Sequence, residues 1–209
     1  MGMGDRARCL SLVALLLSGF CGGCGADAVT RLDRRPNGEP TTDAVVEDAE
    51  VEYATGAESI EALHLAVIAA ARSQDLDAFL ELWPSVSMVV TEQRESIRAM
   101  AVSGEIEDAA ASTILDRFAG EEHRNQTADD LNSRARRHFE TVTESIARYG
   151  IPEDYDSSAL EVMLRPADDG AEMAVLRYVY SDKPHSAVVG GRQWPNGRYY
   201  ADGSGSFGQ

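Results

Sequence analysis

Residues 160–202 read LEVMLRPADDGAEMAVLRYVYSDKPHSAVVGGRQWPNGRYYAD, and this stretch decides the fold. Its apolar residues recur at every second position, as in Leu160, Val162 and Leu164, which is typical of strands with one buried face. Turn-forming residues interrupt the pattern and divide it into four strands. The stretch therefore predicts a four-stranded antiparallel meander, with turns at Asp168-Asp169-Gly170, Lys183-Pro184 and Asn196-Gly197.

Two features refine the last two strands. Gly190-Gly191 falls inside the third strand, where paired glycines indicate a bulge or a close approach of another backbone. The fourth strand is expected over 198–202, and the folded domain is expected to end at residue 203. Residues 204–209 are predicted to be a flexible tail.

Upstream of the strands the apolar period changes to three and four, which is typical of amphipathic helices. Thr55 and Glu58 have the spacing of a capping box before a first helix over 58–73. Asp75 is a candidate N-cap of a short second helix, which Pro84 ends. Residues 85–90 (SVSMVV) favour a short strand. Further helices are predicted at 91–101, 105–119 and 128–149.

This order of elements predicts an α+β fold over residues 58–203, with N-terminal helices packed on the C-terminal meander. A sheet with one apolar face needs a second layer to cover it, and the helices are available to do so. About 145 residues suffice for one hydrophobic core of this kind.

The first 23 residues have the features of a signal peptide. Arg6 and Arg8 precede an apolar run, Cys9–Phe20, that is too short to span a membrane. The Gly23-Cys24 pair that follows resembles the lipobox of bacterial lipoproteins, although Cys21 stands where the family usually has Leu. The resemblance implies cleavage before Cys24 and lipidation of its sulfur. Cleavage after Ala28, within an A-x-A pattern, is the alternative and would give a soluble secreted protein.

Residues 24–57 are predicted to be a disordered acidic linker behind the lipidated cysteine. Six acidic residues and no basic residue lie between Glu39 and Glu52, and no apolar periodicity is present. The expected localisation is therefore export to the outer or cytoplasmic membrane, facing the periplasm or the cell surface. The lipid anchor is the expected contact with the membrane, since two acyl chains hold a protein stably there.

Composition excludes several classes of function. The net charge of −16 opposes binding to nucleic acid. All three cysteines lie within the first 24 residues, so the folded part has no disulfide, thiolate metal site or cysteine nucleophile. The four histidines are not paired at metal-ligand spacing, and the sequence indicates no metal or cofactor. The expected partners are a protein or a small apolar ligand, and no nucleic acid.

The folded part resembles the nuclear transport factor-like superfamily, which includes SnoaL-like and steroid-isomerase-like proteins. The resembling pieces are ALHLAVIAAARSQDLDAFLELW at 62–83 and NGRYYADG at 196–203. The resemblance implies a cone-shaped sheet with a pocket inside and, in an enzyme, an aspartate base. Candidate bases are Asp77, Asp182 and Asp202. Candidate pocket-lining aromatic residues are Trp83, Tyr178, Tyr180, Trp194 and Tyr200.

The leading functional hypothesis is a membrane-tethered lipoprotein with a non-catalytic binding domain. One alternative is an isomerase or lyase with an aspartate or histidine base in the cone, and another is a structural protein of the cell envelope. The enzyme requires a titratable group that faces an open pocket of a few hundred Å³.

Overall fold

The computed structural model describes residues 54–165 and 171–208. The predicted signal peptide, Cys24 and the linker up to residue 53 lie outside the described residues, as does the turn at Asp168-Asp169-Gly170. Five helices precede the sheet in the described part: α1 (Ile60–Ser73), α2 (Leu76–Leu80), α3 (Val86–Val102), α4 (Asp108–Ala119) and α5 (Glu121–Tyr149). A short 3₁₀ turn, Ser157–Ala159, leads into the first strand.

The four strands form one antiparallel sheet in the order β1-β2-β3-β4. The predicted α+β fold, with helices followed by a C-terminal four-stranded meander, is confirmed. The sheet is open, with β1 and β4 as its two edges. The strand bounds are β1 (Leu160–Leu164), β2 (Ala171–Tyr180), β3 (Lys183–Gln193) and β4 (Tyr199–Gly208).

The turn predicted at Asn196-Gly197 and the irregularity predicted at Gly190-Gly191 are both confirmed. The amide of Gly197 donates to the carbonyl of Trp194 over 2.8 Å, which closes the Asn196-Gly197 turn between β3 and β4. The register between these strands shifts between Val189 and Gly191, as expected of a bulge at the paired glycines. A Cβ on Gly191 would lie 2.5 Å from Leu63 Cδ2, so α1 and the sheet approach closely at this position.

The turn between β2 and β3 differs from the prediction. Ser181 and Asp182 both have positive φ, 52° and 62°, and form the two-residue loop. This geometry matches the twist of the strands it joins. Lys183 and Pro184 therefore belong to β3, where Pro184 pairs with Val179.

Two predictions for the helical part of the chain were wrong. Residues 85–90 are not a strand, because the Ser85 side chain caps the Met88 amide and α3 begins at Val86. Tertiary burial of one face of α3 outweighs the strand preference of its valines. Ser59, rather than a Thr55–Glu58 capping box, caps α1 by accepting from the Ala62 amide at 3.1 Å.

Helix α5 begins at Glu121, seven residues before its predicted start, and ends as expected at Gly150 with φ 58°. Acidic residues at 121 and 122 complement the helix dipole there. Strand β4 also exceeds its prediction, because Ser186 to Val189 of β3 pair with residues 205–208. Residues 204–208 are therefore part of the sheet and not a flexible tail.

The core lies between the sheet and helices α1, α2 and α5. A second small cluster joins Met88 of α3 to Trp194 and Tyr200 at the end of the sheet. None of the helices within the described ranges is long and apolar enough to cross a membrane. The large apolar side chains of the main core that are fully buried are Ile60, Leu63, Val67, Ile68, Phe79, Val142 and Val189.

Candidate ligand-binding groove

An open groove of about 430 Å³ lies between α2, the α2–α3 connection and α5. We call it the helix groove. Most of its wall is apolar, and its polar groups come from two carboxylates, a serine and an asparagine. It is lined by Ala54, Asp77, Leu80, Glu81, Trp83, Pro84, Ser85, Val86, Ala128, Leu131, Asn132 and Ala135.

The α5 wall of the groove follows from the sequence of that helix. Ala128, Leu131 and Ala135 are spaced by four residues or fewer and so share one helical face. Two of these three residues are alanines, whose small side chains leave space between α5 and α2. His138 is the next position of the same stripe, one turn beyond Ala135.

The opposite wall is held by the α2–α3 connection. The amide of Ala201 in β4 donates to the carbonyl of Leu82 over 2.8 Å and so fixes this connection to the edge of the sheet. The ring of Trp83 lies over Gly203, whose φ is +77° and where a Cβ would lie 3.0 Å from Trp83 Cη2. Absence of a side chain at Gly203 therefore makes room for the indole.

Trp83 and His138 meet beside the groove. Their ring centroids lie 5.9 Å apart, and the ring of Phe79 packs edge-on against His138 at 5.5 Å. Trp83 is 4% exposed and His138 is 8% exposed. Among the described residues, no hydrogen-bond partner reaches the indole Nε1 of Trp83 or either ring nitrogen of His138. Three buried polar atoms in one contact are an exception to the rule that such atoms are paired.

A charged cluster lies next to this pair. Asp202 of β4 forms an ion pair with Arg165 at 3.2 Å and accepts a hydrogen bond from the Ser204 amide at 2.8 Å. Arg134 donates to the carbonyl of Asp202 at 3.1 Å, and its guanidinium lies 6.0 Å from the Trp83 ring centroid. Burial lowers the pKa of His138, and the Asp202 carboxylate opposes part of that change.

The three candidate bases are placed differently from one another. Asp202 is held by Arg165 and Ser204, so its carboxylate is engaged in structural contacts. Asp182 lies exposed in the β2–β3 turn. Asp77 is exposed and lies on the wall of the helix groove. The structure does not bring these three aspartates together in one site.

The five candidate aromatic residues also separate, and they fall into three places. Trp83 lines the helix groove. Trp194 and Tyr200 pack edge to face at 6.2 Å in the second cluster, where the Tyr200 hydroxyl donates to the carbonyl of Ala54 at 2.7 Å. Tyr178 and Tyr180 surround His185 at the far end of β2, together with Tyr149 of α5.

His64 and His123 make well-defined internal contacts. His64 of α1 is fully buried, and its Nε2 donates to the carbonyl of Ala187 at 3.1 Å. Its Nδ1 accepts from the Tyr155 hydroxyl at 3.2 Å, and burial lowers its pKa to about 4. His123 stacks on Phe118 at 4.4 Å. Within the described residues, no three acidic or histidine side chains are grouped so that they could hold a metal ion.

The sequence indicated Trp83 as a pocket residue. It did not indicate the stripe of α5 residues that lines the groove, or the ring nitrogens of His138 that have no hydrogen-bond partner among the described residues. The run Ala128, Leu131, Ala135, His138 was visible in the sequence as a helical stripe of small residues that ends on a histidine. That signal was insufficient by itself, because the same stripe also fits close packing against a second helix. Comparison with protein families, curated proteins and solved structures found no match to this chain.

Proposed function

We propose that the chain is an exported, membrane-tethered lipoprotein whose folded domain binds a small apolar ligand in the helix groove without catalysis. The observation that carries the binding proposal is the groove itself. It is open, has a volume of about 430 Å³ and is lined mainly by apolar side chains. Sites for small molecules have this size and this kind of lining.

The distribution of reactive groups favours binding over catalysis. Asp202, the carboxylate whose charge acts on the pKa of the buried His138, is engaged by Arg165 and Ser204. Asp77 and Glu81 lie at the groove as acidic lining groups, and Asp77 is exposed to solvent. An exposed carboxylate at an open groove lacks the enclosed setting in which a general base acts on a bound substrate.

The tether is supported by the sequence alone. A basic start, a 12-residue apolar run and Gly23-Cys24 precede an acidic segment that runs to the beginning of the folded domain. Cys24 would be the single cysteine left after cleavage before it, so it would be available for lipid. The proposal therefore combines a membrane anchor at residue 24 with a binding domain that begins about thirty residues later.

The anchor is tested by expressing the full chain in a bacterium and measuring the intact mass and the membrane fraction. We expect a diacylated mature chain that begins at Cys24. Cys24→Ser should remove the lipid and release the protein from the membrane. Cys21→Ser is the matched control and should leave both the lipid and the membrane fraction unchanged. An unlipidated mature chain that begins at Val29 would contradict the anchor.

The groove is tested with N-phenyl-1-naphthylamine, an uncharged probe that fluoresces in apolar sites. The mature Cys24→Ser chain should enhance its fluorescence with saturation. Ala128→Leu should weaken the enhancement, because the larger side chain occupies part of the groove. Ala147→Leu is the matched control, since Ala147 is exposed on the same helix and does not line the groove. Equal enhancement by both variants would place the binding elsewhere.

A further inference from the structure

The outer edge of β1 carries an inference that goes beyond the proposed function and does not depend on the helix groove. We infer that this edge pairs antiparallel with β1 of a second copy of the chain, about a two-fold axis at Val162. The pairing would join two four-stranded sheets into one. Large apolar side chains are exposed along β1, since Val162 is 42% exposed, Met163 is 40% exposed and Leu164 is 73% exposed.

The register of β1 shows which of its backbone groups point to the open edge. The amide of Arg165 donates to the carbonyl of Ala171 over 3.0 Å, and β1 pairs with β2 without a register shift. Opposite residues of an antiparallel pair alternate between bonded and non-bonded positions. Residues 161 and 163 therefore bond to β2, whereas the amides and carbonyls of residues 160, 162 and 164 point away from it.

The Leu160 amide is used locally, because it donates to the carbonyl of Ser157. The amides of Val162 and Leu164 remain directed outward. Within the described ranges, β2 is the only strand that pairs with β1. The open edge thus presents two amide donors in alternate positions, together with the carbonyl acceptors of the same strand.

The other edge of the sheet is already partly covered. In β4 the amide of Ala201 donates to the carbonyl of Leu82 over 2.8 Å, and the carbonyl of Asp202 accepts from Arg134 at 3.1 Å. Edge strands are commonly protected by such cover, or by proline, lysine or a bulge. The sequence of β1, LEVML, has no proline or lysine, and its register is regular. The β1 edge is therefore the one suited to pair with another strand.

The residues whose backbone faces the open edge also extend the apolar face of the sheet. Leu160 and Val162 lie opposite Leu176 and Ala174 of β2, which belong to the core. Leu164 shares this face because alternate residues of a strand point the same way. Val162 and Leu164 are therefore exposed on the core face of the sheet. A strand added at this edge would pack beside them.

A second copy fits this edge because β1 is complementary to itself. With the axis at Val162, Leu160 lies opposite Leu164 of the second copy, and Glu161 lies opposite Met163 of the second copy. Each Val162 amide donates to the other Val162 carbonyl, and each Leu164 amide donates to the Leu160 carbonyl across the axis. The same surface thus supplies both halves of the interface.

The charges along β1 also favour a second copy. Its one charged residue, Glu161, is paired with Arg177 of its own chain at 3.1 Å and would face no like charge across the axis. The acidic segment 39–52 of the same chain fits the edge less well, because it has six acidic residues and no basic residue. Pairing that segment with β1 would add like charge beside Glu161.

The test is the oligomeric state of the mature Cys24→Ser chain, which carries no lipid. Sedimentation velocity at high salt, which screens the net charge of −16, should show a monomer–dimer equilibrium. Val162→Lys should weaken association at least about tenfold, because it places like charges opposite each other at the axis. Val179→Lys is the matched control and should leave association unchanged, since Val179 is 72% exposed on β2 beyond the part that pairs with β1.

A mixing experiment separates loss of the interface from loss of folding. Val162→Lys and Val162→Glu should each be monomeric alone. An equimolar mixture of the two should associate again, because opposite charges then meet at the axis. Misfolded chains would not regain a defined dimer on mixing. Failure of the mixture to associate, with both variants folded by circular dichroism, would overturn the axis at Val162.

Amide hydrogen exchange followed by NMR tests the edge without altering it. The amides of Val162 and Leu164 should exchange about tenfold more slowly in concentrated than in dilute solution, whereas the Met163 amide, which bonds to β2, should change less. A chain that stays monomeric at every concentration, or a dimer that Val162→Lys leaves intact, would overturn the inference. Protection of both amides in a monomer would show that a segment of the same chain covers the edge, and would overturn it as well.

Discussion

The two sides of the core differ in the hydrogen bonding of their buried histidines. On the α1 side, His64 is fully buried and both of its ring nitrogens have partners, the Ala187 carbonyl and the Tyr155 hydroxyl. On the α5 side, His138 is almost as deeply buried, and neither nitrogen has a partner among the described residues. The α1 side is closely packed against the sheet, and the α5 side borders an open groove.

The contrast separates a buried histidine whose hydrogen bonds are part of the fold from one whose ring nitrogens have no partner in the described residues. A paired histidine stabilises the native state, and its removal leaves two further groups unpaired. An unpaired buried histidine costs free energy, so the fold does not require its polar atoms. The hydrogen bonds of His64 are therefore part of the fold, whereas His138 contributes the packing of its ring.

A fall in pH should produce the largest decrease in the free energy of unfolding. It should act mainly through protonation of His64 on the α1 side. The pKa of His64 is about 4 in the folded state and 6.5 in the unfolded state, so the unfolded state binds more protons between these values. The contribution of His64 is fully present above pH 6.5 and is lost as pH falls toward 4, by on the order of 3 kcal/mol. Urea unfolding at pH 7 and pH 4.5 measures the loss.

Carboxylates also titrate in this range, so the change is assigned with a variant. His64→Leu should show a smaller decrease in the free energy of unfolding between pH 7 and pH 4.5 than the unmodified chain. Burial also lowers the pKa of His138, and His138 therefore contributes with the same sign. If the unmodified chain and His64→Leu show the same pH dependence, protonation of His64 is not the cause of the loss of stability in acid.

Replacing each histidine by leucine at pH 7 tests the comparison directly. His64→Leu should lower the free energy of unfolding by about 2 kcal/mol, because the Ala187 carbonyl and the Tyr155 hydroxyl lose their partner. His138→Leu should change it by less than about 1 kcal/mol in either direction, since no hydrogen bond is lost. Denaturation by urea measures both. A larger loss for His138→Leu than for His64→Leu would reverse the assignment of roles.

A smaller effect is expected from the packing of α1 on the sheet. Gly191→Ala should destabilise the fold by about 1.5 kcal/mol, because the added Cβ would lie 2.5 Å from Leu63 Cδ2 and 2.7 Å from the Tyr200 carbonyl oxygen. Ala128→Leu adds a larger group at the groove and should cost less than about 0.5 kcal/mol. Thermal unfolding measures the two variants side by side, and a greater loss for Ala128→Leu would show that the groove is not open space.

Much of the sheet was predictable from the sequence because local residues specify it. Asn196-Gly197 forms the expected hairpin turn, and Gly190-Gly191 forms the expected bulge. The end of β4 was missed because small residues at 203–206 have weak strand preference, and pairing with β3 overrides it. The strand predicted at 85–90 failed for a similar reason, since burial of α3 outweighs the preference of its valines.

The candidate site was less predictable than the fold. Trp83 was named as a pocket residue, but Tyr178, Tyr180, Trp194 and Tyr200 lie in other parts of the molecule. Sequence identifies an aromatic residue on an apolar face without showing which surface that face meets. The sequence places His138 within the predicted helix 128–149 but does not show its hydrogen bonding, which depends on contacts between α2, α5 and β4.

Apolar periodicity and neighbouring residues were sufficient to predict helices followed by a four-stranded meander, the Asn196-Gly197 turn and the Gly190-Gly191 bulge, because those features are specified locally. Only the tertiary structure shows that His64 is paired while His138 has no partner among the described residues, and that small residues of α5 leave a groove beside Trp83. The physical reason is the separation of the partners along the chain. His64 and Ala187 are 123 residues apart, and packing of the whole domain is required to bring such groups together or leave them without a partner.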